Sequence, residues 1–330
     1  MKQIINHLKK SKRILIASHI QPDGDAIGAS LAMGLALEEV KKDIQIFNES
    51  GLPAVYHFLP SIHRIKRDPG DISAYDTAIV IDCSDLQRIG TMAEPVSRIP
   101  TIINIDHHIT NTRFGHYQYI DAKAAASAEI VFRLIRALDV PVTTAMAYAI
   151  YTGIMSDTGS FRFSNTTSEA FKVCHEMLEY GADAHQVAQH IYETISLNRI
   201  KLLNMLLDTI EVSDDGRLSI MTLTQNMLKV TGTEISDVNG LINYAKRIEN
   251  VRVAALLYER ASSKRQPGKT TSHFHVSLRS DGNINVALIA SAFGGGGHPT
   301  AAGFDIHSSL TDVKSELYAL SDRLGSAWRQ

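Results

Sequence analysis

The stretch SHIQPDGDAIGAS, residues 18–30, sets His19, Asp23 and Asp25 within seven residues, straight after the apolar run Ile14-Leu15-Ile16-Ala17. Imidazole and carboxylate groups so spaced are the donors of divalent-cation sites. More of them follow similar apolar runs: Asp82 in VIDCSD, then Asp106, His107 and His108 in NIDHHITNTRFG, with Asp157 at a later polar break in GIMSDTGSFRF. Brought together without cations, Asp23, Asp25, Asp82 and Asp157 would repel and raise some of one another's pKa values, whereas two divalent cations would offset the repulsion. The mixed donor set suits manganese first, and also iron, cobalt or zinc, better than an all-oxygen magnesium shell. Two such cations about 3.5–4 Å apart can activate a bridging water and clamp a phosphoryl group during in-line attack. Each fragment alone also has a plainer explanation. HIQPDGD has the composition of a polar turn, DHH that of a capping aspartate beside two surface histidines, and a lone Asp82 or Asp157 that of a turn acid. Their joint order along the chain favours the metal reading.

The elements around these residues say how they meet. RILIAS (13–18), DIQIFN (43–48), TAIVID (77–82) and TIINID (101–106) have the pattern of buried strands. Helices are expected over 26–40, 124–138 and 168–181. Strand alternating with helix predicts a mainly parallel α/β sheet, in which ligands gather at the carboxyl ends of the strands. The stretch 184–210 reads as helical and leads out of the first domain. Beyond it, RLSIMTLT (217–224), VRVAALLYER (251–260) and SHFHVSLRS (272–280) predict strands of a smaller α/β domain. Between the latter two lies the polar loop ASSKRQPGKTT, with Pro267 and Gly268. The expected organisation is a domain over 1–185, a helical linker over 186–210 and a second domain over 211–330.

At 330 residues, two cores are the default. Cys83 and Cys174 are the only cysteines and form no zinc or disulfide framework, which fits a reducing cytoplasm. No apolar stretch reaches membrane-spanning length, so a soluble, cytoplasmic protein without a membrane partner is expected. The 33 basic and 35 acidic residues give a net charge of -2, a poor footprint for long duplex nucleic acid. A short anionic substrate held by a local positive site is compatible with that balance.

Taken together, ASHIQPDGDAIGAS, VIDCSD, NIDHH and GIMSDTG resemble the four ordered motifs of the DHH phosphoesterase family, and FGGGGHPTAAGF (293–304) resembles the glycine-rich motif of its DHHA1 companion domain. The resemblance implies an N-terminal DHH catalytic domain and a C-terminal DHHA1 substrate-binding domain. It places one metal on His19, Asp23 and Asp82, and a second on Asp25, Asp82, His107 and Asp157, with Asp82 bridging. His108 then resembles the family histidine that faces the substrate phosphate, and Asp106 would hold the adjacent imidazole in orientation. In the second domain Gly294 to Gly297 permit positive φ and close approach of N–H groups to an anion. Gly295, Gly296, Gly297 and His298 are accordingly the candidate substrate contacts. Arg279 is a second candidate, with solvated surface arginine as the competing reading. Arg260, Lys264, Arg265 and Lys269 form a basic cluster that reads more readily as a solvated loop. Phe161, Phe163 and Tyr117 are candidates for base stacking, with core packing as the alternative.

A metal centre in one domain facing an anion nest in the other would favour molecules of a few nucleotides. The resemblance to stand-alone bacterial members implies hydrolysis of short single-stranded oligoribonucleotides to mononucleotides, and removal of the 3'-phosphate from 3'-phosphoadenosine 5'-phosphate. A stand-alone cyclic-dinucleotide phosphodiesterase ranks next, then a pyrophosphatase of the second family, then a non-catalytic nucleotide sensor. Oligomeric state is open, a homodimer being one option.

Overall fold

The computed structural model describes residues 1–193, 195–260 and 272–324. Contacts divide the chain into two units, Met1–Thr194 and Ile195–Gln330. In the first, the four expected strands form and two short ones join them: β1 (Arg13–Ser18), β2 (Asp43–Phe47), β3 (Ile65–Lys66), β4 (Thr77–Ile81), β5 (Thr101–Asp106) and β6 (Tyr117–Ile120). All pair in parallel, in the order β3-β2-β1-β4-β5-β6. Side chains alternate between two cores, as the period of a strand requires. Ile14, Ile16, Ile79, Ile81, Ile103 and Ile105 face one, while Leu15, Ala17, Ala78, Val80 and Ile102 face the other. The chain runs outward in opposite directions from β1 and β4, so these neighbours form a topological switch point, where their carboxyl ends open a crevice.

Among the described residues, seven α-helices accompany this sheet: α1 (Lys2–Lys10), α2 (Gly24–Glu39), α3 (Ala93–Ser97), α4 (Ser127–Ala137), α5 (Thr144–Asp157), α6 (Ser168–Glu179) and α7 (Ala184–Ala188). A π-helical turn, Gln189–Glu193, follows α7. Helix α2 starts two residues before its expected position because the Asp23 carboxylate accepts from the Asp25 and Ala26 N–H groups and caps it. Helix α4 starts at Ser127, later than expected, because Ala126 is extended and has no capping group. The expected polar break at Asp157 is instead the last residue of α5. That helix is apolar around nearly its whole circumference and buried, so it carries no amphipathic period.

The second unit has α8 (Leu197–Leu207), β7 (Glu211–Val212), β8 (Leu218–Leu223), α9 (Gln225–Thr231), α10 (Ile242–Lys246), β9 (Val253–Glu259), β10 (Ser272–Ser280), α11 (Val286–Ala292), β11 (Gly296–His298), β12 (Ala301–Ser308) and α12 (Leu310–Leu324). Its sheet runs β11-β12-β10-β9-β8-β7, antiparallel except for the β8 and β9 pair. Apolar clusters lie on both faces, one including α11 and α12, the other including α8 and α10. The stretch 261–271, with Lys264, Arg265 and Lys269, lies outside the described residues. No helix among the described residues is long and apolar enough to cross a membrane.

Helices α2 and α5 touch backbone to backbone. A Cβ on Gly28 would lie 2.2 Å from the Ala149 carbonyl oxygen, and one on Gly153 would lie 3.5 Å from the Asp25 Cα of α2 and 2.6 Å from the Ala128 Cβ of α4. A carbonyl inside a helix cannot rotate away. Gly28→Ala is therefore expected to destabilise the protein by about 2 kcal/mol, since overpacking costs roughly 1–3 kcal/mol or more and helix propensity returns at most about 1. Chemical denaturation checks this, and an unchanged midpoint would show that the two helices separate freely.

Candidate metal centre

His19 follows β1 directly. Its Nδ1 pairs with the Ile20 carbonyl at 2.9 Å, so in the neutral ring Nδ1 carries the proton and Nε2 presents a lone pair. Nε2 stands 3.5 Å from Asp82 Oδ2 and 3.9 Å from Asp23 Oδ1. Asp82 follows β4 with a left-handed backbone, φ 58°, while its N–H donates to the Ile105 carbonyl and prolongs the ladder to β5. Asp82 Oδ1 accepts from the Ser127 hydroxyl at 3.0 Å and lies 3.6 Å from both His107 Nε2 and His108 Nδ1.

Asp25 sits in the first turn of α2, fully buried, with its carboxylate against the first turn of α4. Oδ2 accepts from the Ser127 N–H at 2.6 Å and Oδ1 from the Ala128 N–H at 2.9 Å. An acid from α2 thus supplies the cap that Ala126 cannot. His107 Nε2 is 3.9 Å from Asp25 Oδ2 and 3.5 Å from Asp157 Oδ2. Asp106, buried at the end of β5, accepts from His108 Nδ1 at 2.7 Å and from Asn111 Nδ2 at 2.6 Å. All eight aspartates and histidines singled out as donors or their partners in the first half of the sequence therefore meet at the carboxyl edge of one sheet.

Spacings of 3.5–3.9 Å between the ring nitrogens and Asp23, Asp25, Asp82 and Asp157 are too long for good hydrogen bonds. They approach the roughly 3–3.5 Å separating donors that share a cation at ~2.1 Å. Donor atoms of His19, Asp23 and Asp82 lie within 4.8 Å of one another, as do those of Asp82, His107 and His108. Asp82 belongs to both groups.

The electrostatics agree. Burial, reinforced by the charges of Asp82, Asp157 and Asp23, lifts Asp25 well above the usual carboxylate range. Burial likewise pushes Asp157 up to about 7, with Asp82 and Asp23 adding to it and His107 opposing. For Asp82, burial is outweighed by the His19 contact and by the charges of His107, His19 and His108, which hold it below the usual range. Burial would lower His108, yet its bond to Asp106 and the charge of Asp82 raise it to about 9. One acid is held ionised while its neighbours are driven toward protonation, the condition that a bound cation relieves.

Nothing in the sequence marks three residues that hold the centre together. Ser127 links Asp82 to Asp25. Asn111 orders Asp106, and Asn165 Nδ2 donates to Asp157 Oδ2 at 3.2 Å and to the Ala125 carbonyl at 3.0 Å. Each is a common polar type whose role appears only through what it touches. Tyr117, a stacking candidate, is not at this edge. It pairs with Ile103, three residues below the level of Asp106, and its ring lies 5.3 Å from that of His7. Phe161 is half-buried and stacks on Phe171 at 5.0 Å, whereas Phe163 is 54% exposed.

In the second unit, Arg279 on β10 and His298 on β11 both pair with Ala301 of β12. Residues directly opposite share a face of the sheet, so the two side chains stand on one face, two strands or roughly 10 Å apart. Arg279 is half-buried, its pKa lowered by burial, and makes no ion pair among the described residues. Its guanidinium donates to the Leu278 carbonyl. The glycines of the preceding loop also serve packing. Gly294 and Gly295 N–H groups donate to Ser291 and Ala290 carbonyls and close α11. A Cβ on Gly295 would lie 2.2 Å from the Gly303 carbonyl oxygen. Gly296, Gly297 and His298 are exposed along β11.

A doubly wound parallel domain with an acid and imidazole centre, followed by a mixed-sheet domain with an exposed glycine strand, defines the class as a two-domain α/β protein built around a cation-type site. Residues 13–154 match the DHH family, N-terminal domain, and residues 225–326 match the DHHA1 domain; the chain belongs to the DHH family. It is 34% identical over 292 residues to the bifunctional oligoribonuclease and PAP phosphatase NrnA of Thermus thermophilus, across 88% of this chain and 83% of that one. The protein of the same name from Bacillus subtilis is 27% identical over 311 residues, 93% of either chain. Among solved structures, an exopolyphosphatase-related protein from Bacteroides fragilis matches with a TM-score of 0.88 at 27% identity, over 98% of this chain and 96% of that one. Enzymes of the DHH family are metal-dependent, and the clustered donors fit that requirement.

Asp25 and Asp157 both retain protons at higher pH than ordinary acids, and a cation must displace those protons. Calorimetric titration with Mn2+ in buffers of different ionisation enthalpy is expected to show more net proton release near about pH 6, where Asp157, raised to about 7, still carries its proton, than near about pH 8, with affinity rising over the same interval. Binding without proton release at either pH would mean that these acids are already ionised.

Proposed function

We propose that the protein hydrolyses short single-stranded oligoribonucleotides to mononucleotides and removes the 3'-phosphate of 3'-phosphoadenosine 5'-phosphate, using two divalent cations, Mn2+ first. The observation that carries this reading is the convergence of His19, Asp23, Asp25, Asp82, His107 and Asp157 at one sheet edge, in a chain 34% identical to a relative named as a bifunctional oligoribonuclease and PAP phosphatase. His19, Asp23 and Asp82 would hold one cation; Asp25, Asp82, His107 and Asp157 the other. Bound there, the cations would supply Lewis-acid polarisation of the phosphoryl group and a nucleophile available at neutral pH.

The protein's own groups do the rest. Asp106 occupies His108 Nδ1, so Nε2 is the ring nitrogen left to meet a phosphoryl oxygen. Without cations, the Asp106 bond and the Asp82 charge raise His108 to about 9; an imidazolium there would donate from Nε2 as a stronger donor than the neutral ring. In the second domain, Arg279 and the exposed Gly296, Gly297 and His298 would form an anion-holding set for a further phosphate, Arg279 being a half-buried cation that makes no ion pair among the described residues. A net charge of -2 supports short substrates over long polyanions. The two buried free cysteines, Cys83 and Cys174, fit action in a reducing cytoplasm.

Turnover with Mn2+, measured side by side on a dinucleotide, a five-mer, a long RNA, 3'-phosphoadenosine 5'-phosphate, a cyclic dinucleotide and pyrophosphate, is expected to favour the dinucleotide, the five-mer and the 3'-phosphate. A strong preference for the cyclic dinucleotide or pyrophosphate would replace this reading.

His108→Ala is expected to lower turnover by about 10²- to 10³-fold, the usual effect of removing one charge-stabilising donor, while Mn2+ content stays at the wild-type level. Asp82→Ala should lose both cations and all turnover. Loss of Mn2+ from the His108 variant with unchanged activity per bound ion would make His108 a ligand instead.

A further inference from the structure

We infer that Ser127 is a positioning residue for one of the two cation sites and not for the other, an inference that rests on the two-cation reading above. The two oxygens of Asp82 face different partners. Oδ2 lies toward His19, 3.5 Å from its Nε2. Oδ1 lies toward His107 and His108, each at 3.6 Å, and accepts the Ser127 hydroxyl at 3.0 Å.

Ser127 is fully buried, and the two bonds it makes at the centre both fall on the His107 side. Its hydroxyl takes Asp82 Oδ1, and its N–H takes Asp25 Oδ2, the oxygen nearest His107 Nε2. Neither reaches His19 or Asp23. A carboxylate turns easily about its terminal bond, so the backbone of Asp82 alone does not say which way its oxygens point. The hydroxyl holds that torsion with Oδ1 toward His107 before any cation arrives.

The bond to Asp25 comes from the main chain and survives a change of side chain. Ser127→Ala therefore removes the hold on Asp82 and leaves the Asp25 cap intact. Alanine is smaller and is a better helix former than serine, so the variant keeps its fold in the absence of cations; near-UV circular dichroism of the chelated full-length protein confirms this.

The test is titration of chelated wild-type protein and Ser127→Ala with Mn2+ alone, by calorimetry and by electron paramagnetic resonance. Wild-type protein is expected to bind two equivalents and to develop the signal of a coupled ion pair. Ser127→Ala is expected to bind one equivalent with wild-type affinity and the second about 10- to 100-fold more weakly, as when a partner that orients a ligand is removed. The coupled signal should then appear only at correspondingly higher Mn2+. Two equivalents bound by the variant with wild-type affinity would overturn the inference, and so would equal weakening of both. If wild-type protein itself bound fewer than two, the two-cation reading would fail first.

Discussion

Five aspartates, Asp23, Asp25, Asp82, Asp106 and Asp157, are brought to one sheet edge, and three of them are buried with almost no exposure. Carboxylates so placed cannot all ionise unless positive charge lies among them. The protein supplies part of that charge without metal. The N-terminus of α2 receives Asp23, the N-terminus of α4 receives Asp25, and the imidazoles of His19, His107 and His108 surround Asp82. Partial positive charge at two helix starts and the raised imidazoles of His19 and His108 make the assembly tolerable, yet Asp25 and Asp157 remain raised. The residual deficit is what divalent cations would fill.

The fold determines where this conflict can be placed. At the switch point between β1 and β4 the connections leave in opposite directions, which opens a crevice at the carboxyl ends where several side chains can converge. β1 delivers His19, β4 delivers Asp82, and the next strand out, β5, delivers the Asp106, His107 and His108 run. The helices then add acids from above. For α5 to place Asp157 and for α2 to place Asp25 within 3.9 Å of the same imidazole, the two helices must approach more closely than side chains allow. Gly28 and Gly153 permit it. Those glycines are functional through packing alone.

What the sequence made legible follows from this division. Residues at strand ends announced themselves, because a buried apolar run that stops at His19, Asp82 or Asp106 is a strong local contrast. The parallel sheet and its four long strands were readable for the same reason. Asp157 is recognisable as a donor but not as a helix end, since TAMAYAIYTGIMSD is apolar around most of its circumference and shows no period. The start of α4 was misplaced because its cap comes from Asp25, 102 residues away in the chain. Ser127, Asn111 and Asn165 left no local trace. In the second domain the four glycines stood out, but their shared reading as an anion nest concealed a division of labour: Gly294 and Gly295 close a helix, while Gly296 and Gly297 lie exposed in a strand.

Asp82 shows most directly how backbone and chemistry are reconciled. Lys41, Arg113 and Asp139 also have left-handed φ, but all three are exposed, whereas Asp82 is buried at the centre of the crevice. A non-glycine residue in that region costs on the order of 1–2 kcal/mol, with aspartate and asparagine better tolerated than most. The conformation keeps the N–H in the ladder to Ile105 while turning the side chain out of the sheet, so that one carboxylate meets imidazoles arriving from two different strands. Glycine would adopt the turn at no steric cost and would leave the crevice without the one carboxylate that both donor groups share. The strain is retained because no other residue type combines tolerance of that backbone with a charge that can face both ways.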